Sequence, residues 1–219
     1  MPQFQNRRQA GRELAERLRG RVGGTDAVVL GLPRGGLPVA APVAEALGCP
    51  LDVLVVRKLG VPGHEELAMG AVASGGGRVI NDDIVRELGL SAETVERVSA
   101  RERAEVERRE RAFRGDRPPT PLEGKTVVLV DDGIATGATM RSAVAAVRSF
   151  APARVLVATP VAPAEAVAVL EGEADEVVCL ATPEPFLAVG RWYVDFPQTG
   201  DDEVRALVDA HRAATAEEP

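Results

Sequence analysis

Six short runs rich in apolar and β-branched residues are spaced along the chain, and this pattern restricts the fold more than any other feature. Within each run the apolar residues are nearly continuous rather than alternating with polar ones, which is typical of strands buried on both faces of a parallel sheet. Segments with helical character lie between the runs. This alternation predicts an α/β fold with an open, mostly parallel sheet and helices on both faces. The predicted strands are residues 27–30, 51–56, 71–73 with 79–80, 126–130, 154–158 and 176–180, and the predicted helices are 38–47, 138–150 and 163–170.

Length and charge limit the domain organisation and the partners. The 219 residues contain no visible repeat or linker, so we expect a single domain over residues 1–219. The chain has 26 basic and 33 acidic residues, a net charge of −7, which argues against broad affinity for nucleic acid or a membrane surface. It has no apolar run of the roughly 18–20 residues that a membrane span needs, and no hydrophobic signal-peptide core at residues 1–12. We therefore expect a cytoplasmic protein without nucleic-acid or membrane partners, in which Cys49 and Cys179 are buried, reduced thiols.

Two segments depart from the α/β pattern. Residues 101–117 contain seven arginines and five acidic residues at helical spacings, which predicts a charged helical insertion at about 83–117. A solvated helix, a partner or homo-oligomer surface and a nucleic-acid contact remain alternatives for this insertion. The second segment, at about 183–200, contains four of the seven aromatic residues of the chain, namely Phe186, Trp192, Tyr193 and Phe196.

The most specific motif includes the fourth predicted strand and reads VVLVDDGIATGATM over residues 127–140. Asp131 and Asp132 follow the strand directly, at the end where open α/β sheets bind their ligands. Two adjacent carboxylates can accept hydrogen bonds from a vicinal diol or approach a divalent cation. The small residues after them open a helix and offer backbone N–H groups to an anion, so the whole segment fits a ribose 5-phosphate. The residues of this predicted phosphate loop are Ala135, Thr136, Gly137, Ala138 and Thr139.

Other phosphate-binding motifs do not match this segment. The P-loop pattern G-x-x-x-x-G-K-[ST] and the dinucleotide pattern G-x-G-x-x-G are both absent from the sequence. The segment closely resembles the motif that binds phosphoribosyl diphosphate (PRPP) in type I phosphoribosyltransferases, a hydrophobic strand followed by two acids and a T-G-x-T loop. The resemblance implies that Asp131 and Asp132 bind the ribose hydroxyls and that residues 135–139 bind the 5-phosphate.

A second element, Pro33-Arg34-Gly35-Gly36, comes shortly after the first predicted strand. Arg34 supplies a forked donor for a phosphate, and the glycines let backbone amides come close to it. The element resembles the pyrophosphate loop of the same family. The resemblance implies that these four residues bind pyrophosphate and that the peptide bond between Pro33 and Arg34 is cis. Taken alone, the element is equally compatible with a plain surface turn.

A third element, residues 57–66, is rich in glycine, proline and charge, which predicts a mobile loop. Similar enzymes have a loop here that closes over the pyrophosphate, so the resemblance implies that Arg57 and Lys58 contact this leaving group. His64 is one of only two histidines. A general acid and a solvated loop residue remain alternatives for it.

The resemblance implies a phosphoribosyltransferase that moves ribose 5-phosphate from PRPP to a nitrogenous base and releases pyrophosphate. The protein would act by positioning and charge stabilisation, with Arg34, Arg57, Lys58 and Asp132 as catalytic residues. Mg²⁺ would arrive with PRPP, and direct contact of the ion with Asp131 is left open. The aromatic segment at 183–200 is the predicted hood over the acceptor, which no motif identifies. A non-catalytic PRPP- or nucleotide-binding regulator of the same fold is the alternative.

Overall fold

A computed structural model describes residues 3–22 and 26–216. Residues 1–2 and 217–219 of the predicted 1–219 domain therefore lie outside the described part. The strands in this part are β1 (Ala27–Gly31), β2 (Leu51–Val53), β3 (Val56–Val61), β4 (His64–Ala73), β5 (Arg78–Ile80), β6 (Thr126–Val130), β7 (Arg154–Val161) and β8 (Glu176–Ala181). The α-helices are α1 (Arg7–Leu18), α2 (Leu37–Leu47), α3 (Asp82–Glu87), α4 (Ala92–Arg114), α5 (Ala138–Arg148), α6 (Ala164–Glu171) and α7 (Asp201–Ala216).

Five of the strands form an open parallel sheet in the order β2-β1-β6-β7-β8. In its centre Val29 of β1 lies opposite Val128 of β6, which lies opposite Leu156 of β7. Successive side chains of β1 point to opposite faces. Val29 packs in the cluster that contains α1 and α2, whereas Val28 and Leu30 pack in the cluster that contains α5 and α6. The predicted open parallel sheet with helices on both faces is therefore confirmed.

The other three strands form an antiparallel sheet that packs against α4 and α5. Two predictions are wrong here. Residues 51–56 are not one strand, because β2 ends at Val53 and β3 begins at Val56. The loop expected at residues 57–66 is a β-hairpin, in which a turn at Pro62 and Gly63 joins β3 to β4. Leu59 explains the second difference, because this fully buried side chain packs in the same core cluster as the apolar face of α4.

Helices α3 and α4 occupy the segment predicted as a charged insertion. One face of α4 is apolar and buries Val98, Val106 and Phe113, and the opposite face exposes arginines and glutamates. The last residue of α4, Arg114, is also buried. Its Nε lies 3.0 Å from Oδ1 of Asp52 in β2. The insertion is therefore anchored to the parallel sheet at its carboxyl end.

Helices α1 and α7 were not predicted from the sequence. Charged residues make up half of α1 and six of the 16 residues of α7, and each helix presents an apolar stripe to the core. Leu14 and Leu18 of α1 are fully buried, as are Val204 and Val208 of α7. In α1 the high share of charged residues weakens the apolar signal, whereas Val204, Leu207 and Val208 of α7 do have the spacing of an amphipathic helix.

Two further predictions concern membrane-spanning segments and the two cysteines. Within the described ranges no helix has the length and apolar character that crossing a membrane requires. Within the described residues neither Cys49 nor Cys179 forms a disulfide, and burial raises the pKa of each thiol. Cys49 is fully buried as expected, while Cys179 is half-buried.

Candidate active site

The candidate site is centred on the two acidic residues that follow β6. Asp131 and Asp132 leave the carboxyl end of this central strand, and the backbone N–H of Asp132 donates to Oδ1 of Asp131 at 2.8 Å. The Asp132 side chain is only 14% exposed. The two carboxylates are therefore adjacent, largely removed from water, and placed at the edge of the sheet where α/β proteins bind ligands.

The acid pair is electrostatically unfavourable on its own. Burial raises the pKa of Asp131 well above its usual range, and the neighbouring Asp132 charge raises it further. Burial also raises the pKa of Asp132, although the contact with Arg7 opposes this effect. A ligand that donates hydrogen bonds to these oxygens would offset both costs.

Arg7 is the cation beside Asp132, and the sequence analysis missed it. Its Nε lies 2.7 Å from Asp132 Oδ2, its Nη1 donates to the carbonyl of Pro197 at 2.7 Å, and its guanidinium carbon lies 3.7 Å from the centre of the Phe196 ring. The Asn6 side chain caps α1 by accepting from the Gln9 N–H, so Arg7 is the first residue of the helix. This cap is a sequence signal for the helix. Nothing in the sequence pairs Arg7 with Asp132.

The glycine-rich loop between β1 and α2 packs directly against the acid pair. The Leu32 N–H donates to the Val130 carbonyl at 2.9 Å, which ties the loop to the end of β6. A Cβ atom on Gly35 would lie 2.0 Å from Asp132 Oδ2, so only glycine allows this approach. The peptide bond between Pro33 and Arg34 is cis, as predicted. Arg34 is half-exposed, and its Nη1 lies 3.5 Å from Asp201 Oδ1 in the first turn of α7.

The predicted phosphate loop forms the amino-terminal end of α5. Gly137 caps the helix in the left-handed conformation, with φ of 76°. Within the described residues, the backbone N–H groups of Ala135, Thr136 and Gly137 donate to no protein acceptor, and the Ala138 N–H makes only a 3.4 Å contact with Thr136 Oγ1. Thr139 is exposed in the first turn of the helix. Such a set of N–H groups at a helix amino terminus is suited to an anion.

The two basic residues of the hairpin point in opposite directions. Arg57 faces α4, where its Nε and Nη2 lie 2.9 and 2.8 Å from Oε2 of the buried Glu102. Lys58 is exposed and lines a groove of about 1090 Å³ between the antiparallel sheet and α5, which Ala138 also lines. The structure therefore brings Lys58, and not Arg57, to the groove that reaches the phosphate loop. His64 is exposed at the end of the hairpin turn.

The predicted hood is built from two distant segments. Backbone hydrogen bonds join residues 3–5 to residues 192–195, and the rings of Phe4, Tyr193 and Phe196 pack in one cluster. The Tyr193 hydroxyl donates to the backbone carbonyl of Asp132 at 2.5 Å, and burial raises its pKa, so it stays protonated. These aromatic residues could either stack on a flat base or pack in the core, and in the structure Tyr193 and Phe196 pack against other side chains. Trp192 lines a separate cavity of about 310 Å³ with Pro185, Leu187 and Arg191.

The fold and the position of the acids place the chain among the α/β proteins that bind ligands at the carboxyl ends of a parallel sheet. A family model, the phosphoribosyl transferase domain, matches residues 3–190. The chain therefore belongs to the phosphoribosyl transferase family.

Known relatives agree with this assignment. Two Mycobacterium tuberculosis proteins, from strains CDC 1551 and H37Rv and named provisionally as phosphoribosyl transferases, are each 52% identical over 213 residues, which is 97% of this chain and 48% of theirs. The chain thus spans about half the length of these curated relatives. The crystal structure of TT1426 from Thermus thermophilus is similar with a TM-score of 0.86 and 45% identity, over 94% of this chain and 97% of that one.

Proposed function

We propose that the protein transfers ribose 5-phosphate from PRPP to a nitrogenous-base acceptor and releases pyrophosphate. The observation that carries this proposal is the arrangement around β6. The largely buried acid pair accepts few hydrogen bonds from the protein and lies between two loops that are suited to bind anions. One is the glycine-rich loop that packs against Asp132, and the other is the loop that opens α5. PRPP has its groups in the same order, because the diol of its ribose lies between the 5-phosphate and the pyrophosphate.

Each part of the site has a role in this proposal. The hydroxyls of the ribose would donate to Asp131 and Asp132, and the N–H groups of residues 135–139 would hold the 5-phosphate. Residues Pro33 to Gly36 would hold the pyrophosphate, with Arg34 as a mobile cation at its exposed edge. Lys58 would reach the same charge from the groove. Arg57 is bound to Glu102 and would have to release it to take part.

The proposed reaction breaks the bond between C1 of the ribose and the pyrophosphate oxygen, and the electron pair of this bond leaves with the pyrophosphate. A new bond forms from C1 to the acceptor nitrogen, and the proton on that nitrogen passes to the released pyrophosphate or to water. Positive charge grows on the sugar while negative charge leaves with the pyrophosphate. The protein contributes by holding the sugar at both ends, by neutralising the leaving group and by excluding water. No side chain needs to form a covalent intermediate.

Mg²⁺ fits this proposal as a partner of the substrate. Within the described ranges no group of three or more His, Cys, Asp or Glu side chains is placed to hold a metal ion. Asp131 and Asp132 nevertheless offer carboxylate oxygens of the kind Mg²⁺ prefers, and the ion usually keeps several water or phosphate ligands. We therefore propose that Mg²⁺ enters with PRPP, with Asp131 as the side chain open to contact it. When bound, the ion would neutralise charge on the leaving pyrophosphate.

Two measurements test the function. Calorimetry with PRPP and Mg²⁺ should show binding to the wild type and at least about tenfold weaker binding to Asp131→Asn, which keeps the shape of the side chain but removes its charge.

Pyrophosphate release should then be followed over a panel of purine and pyrimidine bases. Release with one base supports the transferase. Binding of PRPP without release for any base would favour a regulatory PRPP-binding protein, and no binding at all would overturn both.

A further inference from the structure

The amino-terminal helix reaches into the candidate ribose site through a single side chain. Arg7 is 10% exposed and divides its donors between two distant segments, with Nε on Asp132 and Nη1 on the carbonyl of Pro197. Its flat guanidinium also lies over Phe196. All these contacts are between residues far apart in the sequence, so Arg7 joins the hood to the acid pair.

The contact with Asp132 uses only one of the two carboxylate oxygens. Arg7 Nε lies 2.7 Å from Oδ2, the oxygen that also faces Gly35. Apart from the adjacent Asp131 carboxyl group, no described residue donates a hydrogen bond to Oδ1 of Asp132. A carboxylate that is held through one oxygen and has its second oxygen free is oriented to accept a hydrogen bond from a ligand hydroxyl.

Arg7 is also the cation that faces this carboxylate. The other polar groups against Asp132 are the side chain of Asp131, whose own pKa the Asp132 charge raises, and the Tyr193 hydroxyl, which binds the backbone carbonyl of Asp132 rather than its side chain. Replacing Arg7 by a neutral residue would leave a buried acid with a like charge beside it and with no partner to fix its rotamer. Such a carboxylate is free to turn away from the site.

We propose that Arg7 is a positioning residue for the sugar: it fixes the Asp132 carboxylate so that Oδ1 faces a ribose hydroxyl, and it couples this orientation to docking of the hood. The inference rests on the proposed function, because it assumes that the acid pair binds ribose. It assigns Arg7 no contact with the substrate. It also gives the amino-terminal segment a role in substrate binding.

The test compares a ligand that contains the sugar with one that lacks it. Affinities for PRPP and for inorganic pyrophosphate, both with Mg²⁺, are measured for the wild type, Arg7→Gln, Arg7→Lys and the control Arg8→Gln, which removes an exposed arginine from the next position. For Arg7→Gln we expect PRPP to bind about tenfold more weakly or worse, with pyrophosphate affinity within about twofold of the wild type. Arg7→Lys keeps a cation near Asp132 and should recover most of the PRPP affinity. Arg8→Gln should match the wild type.

Other outcomes overturn the proposal in distinguishable ways. Equal loss of PRPP and pyrophosphate affinity in the Arg7 variants would show a general structural role. Tighter PRPP binding in Arg7→Gln would show that Arg7 competes with the sugar for Asp132. If Arg7→Gln does not fold, Arg7→Met, which also removes the charge but keeps an unbranched side chain, replaces it in the same comparison of the two ligands. A wild type that binds no PRPP would overturn the proposed function and this inference with it, whereas normal PRPP binding by Arg7→Gln would overturn the inference alone.

Discussion

Asp131 illustrates how a residue of the candidate site can oppose the stability of the fold that carries it. Its carboxylate is buried next to a second carboxylate, and its one hydrogen bond from the described protein comes from the Asp132 N–H. Because burial and the like charge raise its pKa, the folded state binds a proton on Asp131 more tightly than the unfolded state does. The stability that Asp131 contributes is therefore complete below its unfolded pKa of about 3.9 and is lost as the pH rises through the folded value.

Asp131→Asn should consequently stabilise the protein at neutral pH while it weakens PRPP binding. We expect a gain of about 1 kcal/mol, equivalent to about 2–4 °C in thermal midpoint for a chain of this length. The gain should shrink as the pH falls from 7.5 towards 4, because the wild-type carboxyl then becomes protonated as well. Thermal melts of both proteins across this range provide the measurement. A difference that does not change with pH would contradict the assigned pKa direction.

The sequence predicted those parts of the site that are contiguous in the chain. Asp131, Asp132 and the loop after them could be identified because a strand, two acids and a helix start follow one another within 14 residues. Arg7 could not be identified, because Asp132 lies 125 positions away in the sequence and the contact between them depends on how α1 packs against the sheet. Tyr193 was identified as part of the hood, but its hydrogen bond to the Asp132 carbonyl required the fold.

At the level of elements, the hairpin shows why composition alone mispredicts a segment. Gly60, Pro62 and Gly63 suggested a loop, yet Gly60 sits at an irregularity in the ladder, and Pro62 and Gly63 form the turn. The alternation of a strand then separates the neighbouring basic residues Arg57 and Lys58 onto opposite faces. The shared role predicted for them, contact with the leaving pyrophosphate, is not supported by their opposite directions in the structure.

Lys58→Ala should weaken affinity for pyrophosphate with Mg²⁺ by about tenfold, because one exposed cation is lost from the groove. The fold should be unaffected, since Lys58 is exposed. Lys125 is the only other lysine in the chain and lies beside β6 at the end away from the acids, so Lys125→Ala is the matched control. Calorimetry and thermal melts check both variants. Equal affinity of Lys58→Ala and wild type would remove Lys58 from the proposed site.

Across the whole molecule, one buried ion pair joins the insertion to the parallel sheet. Arg114 at the end of α4 lies 3.0 Å from Asp52 of β2, and its Nη2 donates to the Val53 carbonyl at 2.9 Å. Asp52 accepts a further hydrogen bond from the Thr120 N–H at 2.9 Å. The side chains of the pair are only 4% and 2% exposed. Removal of Arg114 therefore leaves the buried Asp52 carboxylate without its cation.

Arg114→Met should destabilise the protein by about 3–5 kcal/mol, the range for breaking a buried pair on one side. Arg111→Met, one turn earlier on the exposed face of α4, should change the free energy of unfolding by less than about 0.5 kcal/mol. Denaturant titrations of the two variants give both values. Similar small losses for the two would mean that the insertion is not anchored through this pair.

The order of strands in the parallel sheet also has a consequence during synthesis on the ribosome. β1 ends at Gly31, but the strand on its inner edge, β6, is complete only at Val130, 99 residues later. At a translation rate of about 5–20 residues per second, the nascent chain holds that edge unpaired for about 5–20 s. An unpaired apolar strand is what molecular chaperones bind and what aggregates in their absence. The same delay separates the synthesis of the two parts of the candidate site, so a polypeptide released early would carry the glycine-rich loop without the acids it packs against.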